Sequence, residues 1–215
     1  MERSEVAIII PAWNEGATIT RVVEDVSIHG QPIVIDDGST DETAALARAA
    51  GAVVVTHRTN RGYDRALNTG FSEAARRGYS WIVTFDADGQ HDAASVGEFA
   101  ARLKQGNQLV LGIRPRYARL AESLFALYTR LRFGLHDPLC GMKGYQMNVY
   151  RERGWFDSYQ SIGTELALYA LRKKKPFVQI PIAVGQRNGV PRFAHRWRGN
   201  YRILRALVLS WIRSS

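Results

Sequence analysis

Apolar runs that alternate with helix-like segments are the feature that most limits what this chain can fold into. Five such runs, rich in β-branched residues, predict buried strands over residues 6–10, 32–39, 52–57, 81–89 and 108–114. Helix-like segments lie between them; we predict Asn14 as the N-cap of the first, and Thr40 or Asp41 as the N-cap of the second, which stops at Gly51. Strands that alternate with helices predict an α/β protein, with a mostly parallel sheet covered by helices on both faces.

The amino-acid composition indicates a globular protein without disulfides or membrane-spanning helices. The 215 residues are 46% hydrophobic, which suits a globular chain with a substantial core rather than a disordered one. Cys140 is the single cysteine, so neither an intrachain disulfide nor a thiolate zinc cage can form, and a reducing compartment fits. No apolar run approaches the roughly 20 residues of a membrane-spanning helix. We therefore expect a cytoplasmic protein.

Two of the predicted strands end in pairs of carboxylates. Asp36 and Asp37 follow the second strand, and Asp86 and Asp88 follow the fourth. Parallel sheets bind ligands outside the carboxyl ends of their strands, so we expect both pairs to face one crevice. The chain has neither the G-x-G-x-x-G nor the G-x-x-x-x-G-K-[ST] pattern of a glycine-rich phosphate cradle.

Carboxylates that lie close together at a strand end favour the binding of a divalent cation. Two carboxylates about 4 Å apart repel each other by about 1 kcal/mol in water, and a bound cation reverses the sign of that interaction. Oxygen ligands suit Mg²⁺ or Mn²⁺, and Gln90 or His91 could add a ligand or a supporting contact. The alternative is that Asp88 and Gly89 simply begin a turn. The second acidic strand end favours a metal site that bridges a diphosphate.

Four motifs, taken in order, resemble those of the family 2 glycosyltransferases of GT-A fold. They are "PAWNE", "VIDDGSTD", "NRGYDRALNTGF" and "FDADGQH", and the closest likeness is to the dolichol- or polyprenyl-phosphate sugar synthase branch. The resemblance covers about residues 5–195 and is strongest over the first 115. It implies a Rossmann-like GT-A domain over 1–196, with a nucleotide-sugar-binding half (1–115) and an acceptor half (116–196), followed by an amphipathic basic helix (197–215).

The resemblance also assigns roles to single residues. It implies that Pro11, Trp13 and Glu15 frame the nucleobase, that Asp36 and Asp37 contact base and ribose, and that Asp86, Asp88 and Gln90 hold Mg²⁺ or Mn²⁺ and, through it, the diphosphate. Physical chemistry agrees for Trp13, because an aromatic ring can stack on a base, although core packing is an equal alternative. Asp64 departs from the family, which often has a small residue there.

Cations in the second half are candidates for phosphate contacts. The segment "HDPLCGMKGYQ" resembles the family's D-x-x-S-G-F-R segment, which implies that Lys143 neutralises the leaving diphosphate or a phosphate acceptor. Arg114, after the fifth strand, is a second candidate, with a surface cation as the alternative. Arg187 and Arg192 lie in a segment that loosely resembles R-x-x-G-x-S-K, and that loop could close over the diphosphate as a lid.

Glu165 lies near the start of a helix predicted over 161–175. By resemblance it is the acidic residue near the acceptor, and it would take the proton from an attacking hydroxyl group. A phosphate acceptor is already ionised and needs no base, so Glu165 would then orient a group instead. The alternative is an acid that simply favours the helix start through the helix dipole.

Two segments of the second half are amphipathic. The first, 117–133, has an apolar stripe of Tyr117, Leu120, Leu124, Leu127 and Leu131, which suits either packing on the sheet or contact with a membrane or acceptor lipid. The second, from about Trp197, has a stripe of Trp197, Tyr201, Leu204, Val208 and Trp211 flanked by arginines.

The charge of the chain is concentrated at its end. Residues 1–165 carry 18 basic and 20 acidic side chains, whereas 166–215 carry 11 basic ones and none acidic. Each arginine near an anionic leaflet contributes about 1 kcal/mol, which favours reversible docking on the inner face of the membrane. The alternative is a helix packed on the body with its arginines solvated.

Three functions compete at this point. The first is a metal-dependent, inverting glycosyltransferase that moves a sugar from a UDP- or GDP-sugar to a polyprenyl phosphate or related lipid-linked acceptor. The second keeps the fold and donor but transfers to a saccharide or protein hydroxyl. The third is a basic adaptor that binds membrane or nucleic acid without catalysis; no recognition motif supports nucleic acid. We favour the first, because an adaptor leaves the two acidic strand ends unexplained.

Overall fold

A seven-stranded sheet lies at the centre of the molecule. The computed structural model describes residues 5–115, 119–183, 185 and 196–212. The strands are β1 (Val6–Ala12), β2 (Gln31–Asp36), β3 (Val53–Thr56), β4 (Trp81–Thr84), β5 (Leu109–Ile113), β6 (Lys143–Gln146) and β7 (Phe177–Pro181). Their order is β3-β2-β1-β4-β6-β5-β7; β6 runs antiparallel to both of its neighbours, and the other pairs are parallel.

Helices cover both faces of this sheet. They are α1 (Ile19–Ser27), α2 (Thr43–Ala49), α3 (Tyr63–Arg76), α4 (Ala94–Lys104), α5 (Leu120–Phe133), α6 (Met147–Arg153), α7 (Glu165–Arg172) and α8 (Arg196–Ile212). Successive strand side chains point to opposite faces, so Ile8 and Ile10 belong to one buried cluster and Ile9 to the other. The predicted architecture, a mostly parallel sheet between two layers of helices, is confirmed.

The run "FVQIPI" (177–182) also predicts a strand, which is β7, so the sequence missed one strand and one helix. Strand β6 and helix α6 follow one another in the acceptor half, and neither has a local signal strong enough to predict it. The four residues of β6, "KGYQ", contain no apolar run, since two of them are polar and one is glycine. They form a strand because β4 and β5 pair with them from both sides.

Two predicted helix starts were wrong. Asn14 does not cap α1, which begins at Ile19; it has a left-handed backbone (φ 53°), and its side-chain oxygen accepts the Thr40 N–H at 2.9 Å. It therefore joins the loops that follow β1 and β2. Helix α2 begins at Thr43, so Glu42 rather than Thr40 or Asp41 occupies its N-cap position, although the Asp41 carboxylate does accept the Thr43 N–H.

Helices α5 and α8 pack on each other and leave their predicted apolar stripes outward. Helix α5 buries Ala121, Phe125, Ala126 and Thr129, whereas Leu120, Leu124, Leu127 and Leu131 are exposed. Helix α8 buries Ile203, Ala206 and Ser210, whereas Tyr201, Leu204, Val208 and Trp211 are exposed. The stripes therefore are not the packing faces of these helices. Among the described helices, none has the length and apolar character that crossing a bilayer requires.

Candidate active site

A cavity of about 650 Å³ opens at the carboxyl ends of β1 and β4. It lies where the chain leaves β1 towards one side of the sheet and β4 towards the other, which is where parallel sheets bind ligands. Its lining includes eight of the predicted residues: Pro11, Trp13, Glu15, Asp37, Asp86, Asp88, Gln90 and Arg114. It also includes residues that were given no role in advance, among them Tyr63, Gly141, Ile162 and Arg202.

Trp13 stands at the cavity with a partly open face. Its side chain is 41% exposed, so core packing, the alternative reading of this residue, is wrong. Glu15 lies two residues further on and is buried, with its backbone N–H bound to the Thr43 hydroxyl at 2.8 Å. An aromatic face beside a fixed carboxylate offers both stacking and hydrogen-bond acceptors to a nucleobase.

The two carboxylates after β2 have different surroundings. Asp37 lines the cavity, and its oxygens accept the backbone N–H groups of Arg61 (2.9 Å) and Gly62 (2.7 Å) and a contact from His57 Nδ1 (2.6 Å). Asp37 thus holds the loop before α3 against β2. Asp36 is the last residue of β2 and is buried away from the lining, where it accepts the Ser39 N–H. The structure does not bring Asp36 to the cavity.

The Asp86–Asp88 pair occupies the floor of the crevice. His91 Nε2 lies 3.3 Å from Asp86 Oδ2, and Asp88 Oδ1 accepts the Gln90 N–H at 3.1 Å. Burial works against a charged His91 ring, but the hydrogen bond to Asp86 and the negative charges of both aspartates raise its pKa above the ordinary value. Gln90 is fixed in turn, because its side-chain amide donates to the Gly185 carbonyl.

Glycine at position 141 leaves the room that Asp86 occupies. A Cβ atom added to Gly141 would lie 2.9 Å from the Asp86 carboxyl carbon and closer still to one of its oxygens. Gly141 belongs to "CGMKG" (140–144), which runs into β6 and in which the lysine, not this glycine, is the predicted functional residue. A side chain here would compete with the carboxylate for the same space.

This donor set fits a hard divalent cation. Within the described residues, no three acidic, histidine or cysteine side chains gather as a metal-binding cluster. Magnesium does not need one, because it is often held by one or two carboxylates together with substrate phosphates and water. The buried Nδ1 of His91 has no hydrogen-bond partner, so at least one polar atom of this region is not satisfied by the protein itself. Asp86, Asp88 and Gln90 would hold the ion.

The two predicted cations differ in their access to the cavity. Arg114 lines it, but its guanidinium donates to both oxygens of Asp137 (2.7 and 2.9 Å) and to Glu122 (3.2 Å), which raises its pKa. Lys143 is buried in β6, between β4 and β5, and its Nζ donates to the Cys140 carbonyl at 2.6 Å. Burial lowers the pKa of Lys143. The structure does not place Lys143 on the cavity.

Glu165 is also buried, and its carboxylate is bound by other groups of the protein. Its carboxylate pairs with Arg153 and accepts the Ser158 N–H (2.6 Å) and the Trp155 indole N–H (3.1 Å). Burial raises the pKa of Glu165, but these hydrogen bonds outweigh it and lower the pKa below the ordinary value. Glu165 does not line the cavity, and its contacts are those of a residue that fixes a loop. The two arginines of the predicted lid, Arg187 and Arg192, lie outside the described residues.

A strained loop forms part of the cavity wall. Ile162 lines it in a left-handed conformation (φ 58°), which is costly for a β-branched residue. Asp64 holds the loop by accepting the Gly163 N–H at 2.6 Å. Burial raises the pKa of Asp64 to about 6, the charge of Asp157 adds to this, and the charge of Arg202 opposes it. Asp64, a departure in the motif, therefore joins α3 to this loop.

Comparison with known proteins agrees with this geometry. The family model described as "Glycosyl transferase family 2" matches residues 7–180. The polyprenol monophosphomannose synthase of Mycolicibacterium smegmatis is 32% identical in an alignment of length 206 that covers 84% of this chain and 77% of that protein. The undecaprenyl-phosphate mannosyltransferase of Micrococcus luteus is 27% identical in an alignment of length 206 that covers 85% of this chain and 84% of that protein.

The same arrangement of strands and helices occurs in a solved structure. Glucosyl-3-phosphoglycerate synthase from Mycobacterium tuberculosis, in complex with Mg²⁺ and UDP, superposes with a TM-score of 0.79 at 21% identity, over 97% of this chain and 79% of that one. At this identity the likeness shows the fold, and the predicted GT-A fold is confirmed. The match of the family model over most of the sequence, together with these relatives, shows that the chain is a glycosyltransferase and belongs to glycosyl transferase family 2.

Proposed function

We propose that this glycosyltransferase moves a sugar from a nucleoside-diphosphate donor to a polyprenyl phosphate, with Mg²⁺ or Mn²⁺ held at Asp86 and Asp88. The observation that carries the proposal is that Trp13 and these two carboxylates line one cavity at the carboxyl edge of the sheet. The Mg²⁺ and UDP bound to the M. tuberculosis synthase support the metal and the donor class. The names of the two relatives support the acceptor.

Different residues of the cavity would contact different parts of the nucleotide-sugar donor. Trp13 stacks on the base, with Pro11 and Glu15 at its edges, and Asp37 keeps the neighbouring loop in place. When bound, the metal neutralises the charge that develops on the departing nucleoside diphosphate. Asp86, Asp88 and Gln90 fix the position at which it does so. The donor thus occupies residues 1–115 and leaves the 116–196 half for the acceptor.

The positions of the other ionisable groups favour a phosphate acceptor over a hydroxyl acceptor. Its oxygen is already ionised at neutral pH, so it attacks the anomeric carbon without a general base while the bond to the diphosphate breaks. One displacement of this kind inverts the anomeric centre. A hydroxyl acceptor would need a base, and Glu165, the predicted one, is bound to Arg153 away from the cavity lining.

An exposed apolar surface would let this enzyme bind the membrane that holds a lipid-linked acceptor. We define the docking ridge as the exposed residues Leu120, Leu124, Leu127 and Leu131 of α5 with Tyr201, Leu204, Val208 and Trp211 of α8. The two helices pack on each other, and both stripes are exposed faces of this helix pair. An anionic membrane is the occupant that fits, because the last 50 residues are basic and contain no acid. The protein would then lie on the cytoplasmic face.

A donor screen tests the function directly. We expect a UDP- or GDP-sugar to raise the unfolding temperature of the protein when Mn²⁺ is present and not when EDTA replaces it. The same donor should then yield a sugar-phosphate lipid with polyprenyl phosphate, detected by mass spectrometry with inverted anomeric configuration. Stabilisation that is independent of metal, or transfer to a saccharide in place of the lipid phosphate, would refute the proposal.

Removing apolar side chains from the docking ridge should release the protein from vesicles. Replacing Leu127 and Trp211, 54% and 67% exposed, with serine should weaken binding to anionic vesicles about tenfold or more, because inserting a large apolar side chain contributes about 1.5–3 kcal/mol. Ile28 is 81% exposed after α1, and Ile28→Ser provides the control that removes an apolar group elsewhere. Flotation assays compare the three proteins; equal association of all of them would show that the ridge is not a docking surface.

A further inference from the structure

Among the described residues, few cationic side chains line the cavity, and one of them, Arg114, is hydrogen-bonded to carboxylates of the protein. The lining contains the carboxylates of Glu15, Asp37, Asp64, Asp86 and Asp88. Against these stand the guanidinium groups of Arg114 and Arg202. Arg114 is held by three hydrogen bonds to Asp137 and Glu122, so most of its donors are in use. A metal ion can balance a nucleoside diphosphate, but a phosphate acceptor brings further negative charge.

Arg202 comes to the cavity from helix α8, far along the chain from the donor motifs. Its side chain is exposed, and its neighbour Tyr201 belongs to the docking ridge. Asp64, at the start of α3, lines the same cavity, and the charge of Arg202 acts to lower its pKa. Adjacent residues of a helix point about 100° apart, so Arg202 lines the cavity from a different face of α8 than the docking ridge.

We propose that Arg202 binds the phosphate of the acceptor and that Asp64 positions its guanidinium for that contact. The inference rests on the proposed function, since it concerns a phosphate-bearing acceptor of the same site. A guanidinium suits the task because it presents a planar fork of N–H donors to phosphate oxygens.

A merely structural role for Arg202 is the main alternative. Helix α8 is already tied to the body by other groups: Arg205 donates to the Tyr159 carbonyl at 2.8 Å, and Arg172 donates to the Ser210 carbonyl at 2.6 Å. Ile203 and Ala206 bury its packing face. The helix therefore has its anchors at positions that do not line the cavity, whereas Arg202 does.

The test is steady-state kinetics of the full chain with Mn²⁺, a saturating nucleotide sugar and two acceptors. One is a long-chain polyprenyl phosphate in vesicles; the other is a short prenyl phosphate that dissolves in water. We expect Arg202→Gln to raise the KM for both acceptors about tenfold or more, with the donor dissociation constant unchanged, because a charge-assisted hydrogen bond is lost. Arg202→Lys should recover part of the loss, since it keeps the charge without the fork.

Two further proteins make the result specific. Arg151→Gln removes an equal charge from the exposed surface of α6, outside the cavity lining, and should leave the KM of both acceptors as in the wild type. Asp64→Asn should raise the acceptor KM, and its effect should largely disappear in the Arg202→Gln background if Asp64 acts through Arg202. Additive effects of the two substitutions would contradict the positioning role of Asp64.

The outcomes separate this inference from the proposed function. If the wild type transfers sugar and Arg202→Gln keeps the wild-type KM for both acceptors, the role of Arg202 is wrong and the proposed function stands. If the KM changes only for acceptor in vesicles, Arg202 contacts lipid headgroups and the subsite is again wrong. If the wild type transfers to neither acceptor, the proposed function fails and the subsite fails with it.

Discussion

Replacing Asp88 with asparagine is expected to abolish manganese-dependent binding of a nucleoside diphosphate. The substitution removes one of two carboxylates beside the diphosphate position and leaves the shape of the side chain almost unchanged. Its amide oxygen can still accept the Gln90 N–H, so the turn after β4 should survive. Changes to groups that merely support a metal ligand cost about 10–100-fold in affinity, and loss of the ligand itself should cost at least that. Isothermal titration with UDP and GDP in the presence of Mn²⁺ measures the effect.

The control lies four residues further on. Asp92 is exposed before α4, does not line the cavity, and accepts the Ala94 N–H at 3.0 Å, so Asp92→Asn makes the same chemical change outside the site. It should bind metal and nucleotide as the wild type does. If Asp88→Asn also binds as the wild type does, with the same dependence on Mn²⁺, the metal assignment is wrong.

Adding a single methyl group at Gly141 should be almost as damaging. The backbone of Gly141 is not left-handed, so alanine is sterically allowed there, but its Cβ would lie 2.9 Å from the Asp86 carboxyl carbon. Either Asp86 rotates away or the segment before β6 moves. In both cases the carboxylate leaves its place beside His91, and we expect metal-dependent nucleotide binding to fall by about 100-fold or more. Titration with Mn²⁺ and nucleotide, together with thermal unfolding, gives the result.

A second glycine of the same segment separates this effect from a general packing defect. A Cβ at Gly144, in β6, would meet the apolar side chains of Leu103 and Phe99 at 3.2 and 3.3 Å. Gly144→Ala should therefore lower stability, by about 1–3 kcal/mol for an overpacked core, and should leave metal-dependent binding intact. Wild-type binding by Gly141→Ala, or equal loss in both variants, would show that the position of Asp86 does not depend on room at Gly141.

The acidic strand ends show how much of the site the sequence predicted. Asp37, Asp86 and Asp88 line the cavity because a parallel sheet brings the carboxyl ends of its strands to one edge, whatever the loops do. Asp36 precedes Asp37 in the same motif but faces the interior, because adjacent residues at a strand end point to opposite sides. Sequence alone could not say which of the two would face the cavity.

The cations of the second half show the limit of the same reasoning. Lys143 occupies the place of a family arginine in its motif, yet β6 is an inner strand and its side chain is buried. Glu165 begins a helix, as predicted, but Arg153, Trp155 and Ser158 take up its carboxylate. Arg202, which does line the cavity, was one of several arginines on a basic helix that was predicted to dock on a membrane. No local signal distinguishes these cases.

The sequence by itself determined the alternation of strands and helices, the carboxylates at the strand ends and the amphipathic character of α5 and α8. All of these follow from patterns within a few residues, which the periods of helix and strand translate directly into faces. The tertiary structure alone decided that β6 fits antiparallel between β4 and β5, that Gly141 leaves room for Asp86, and that Arg202 and Asp64 line the same cavity. Those contacts join residues far apart in the chain, and their geometry depends on how whole elements pack, which local patterns do not encode.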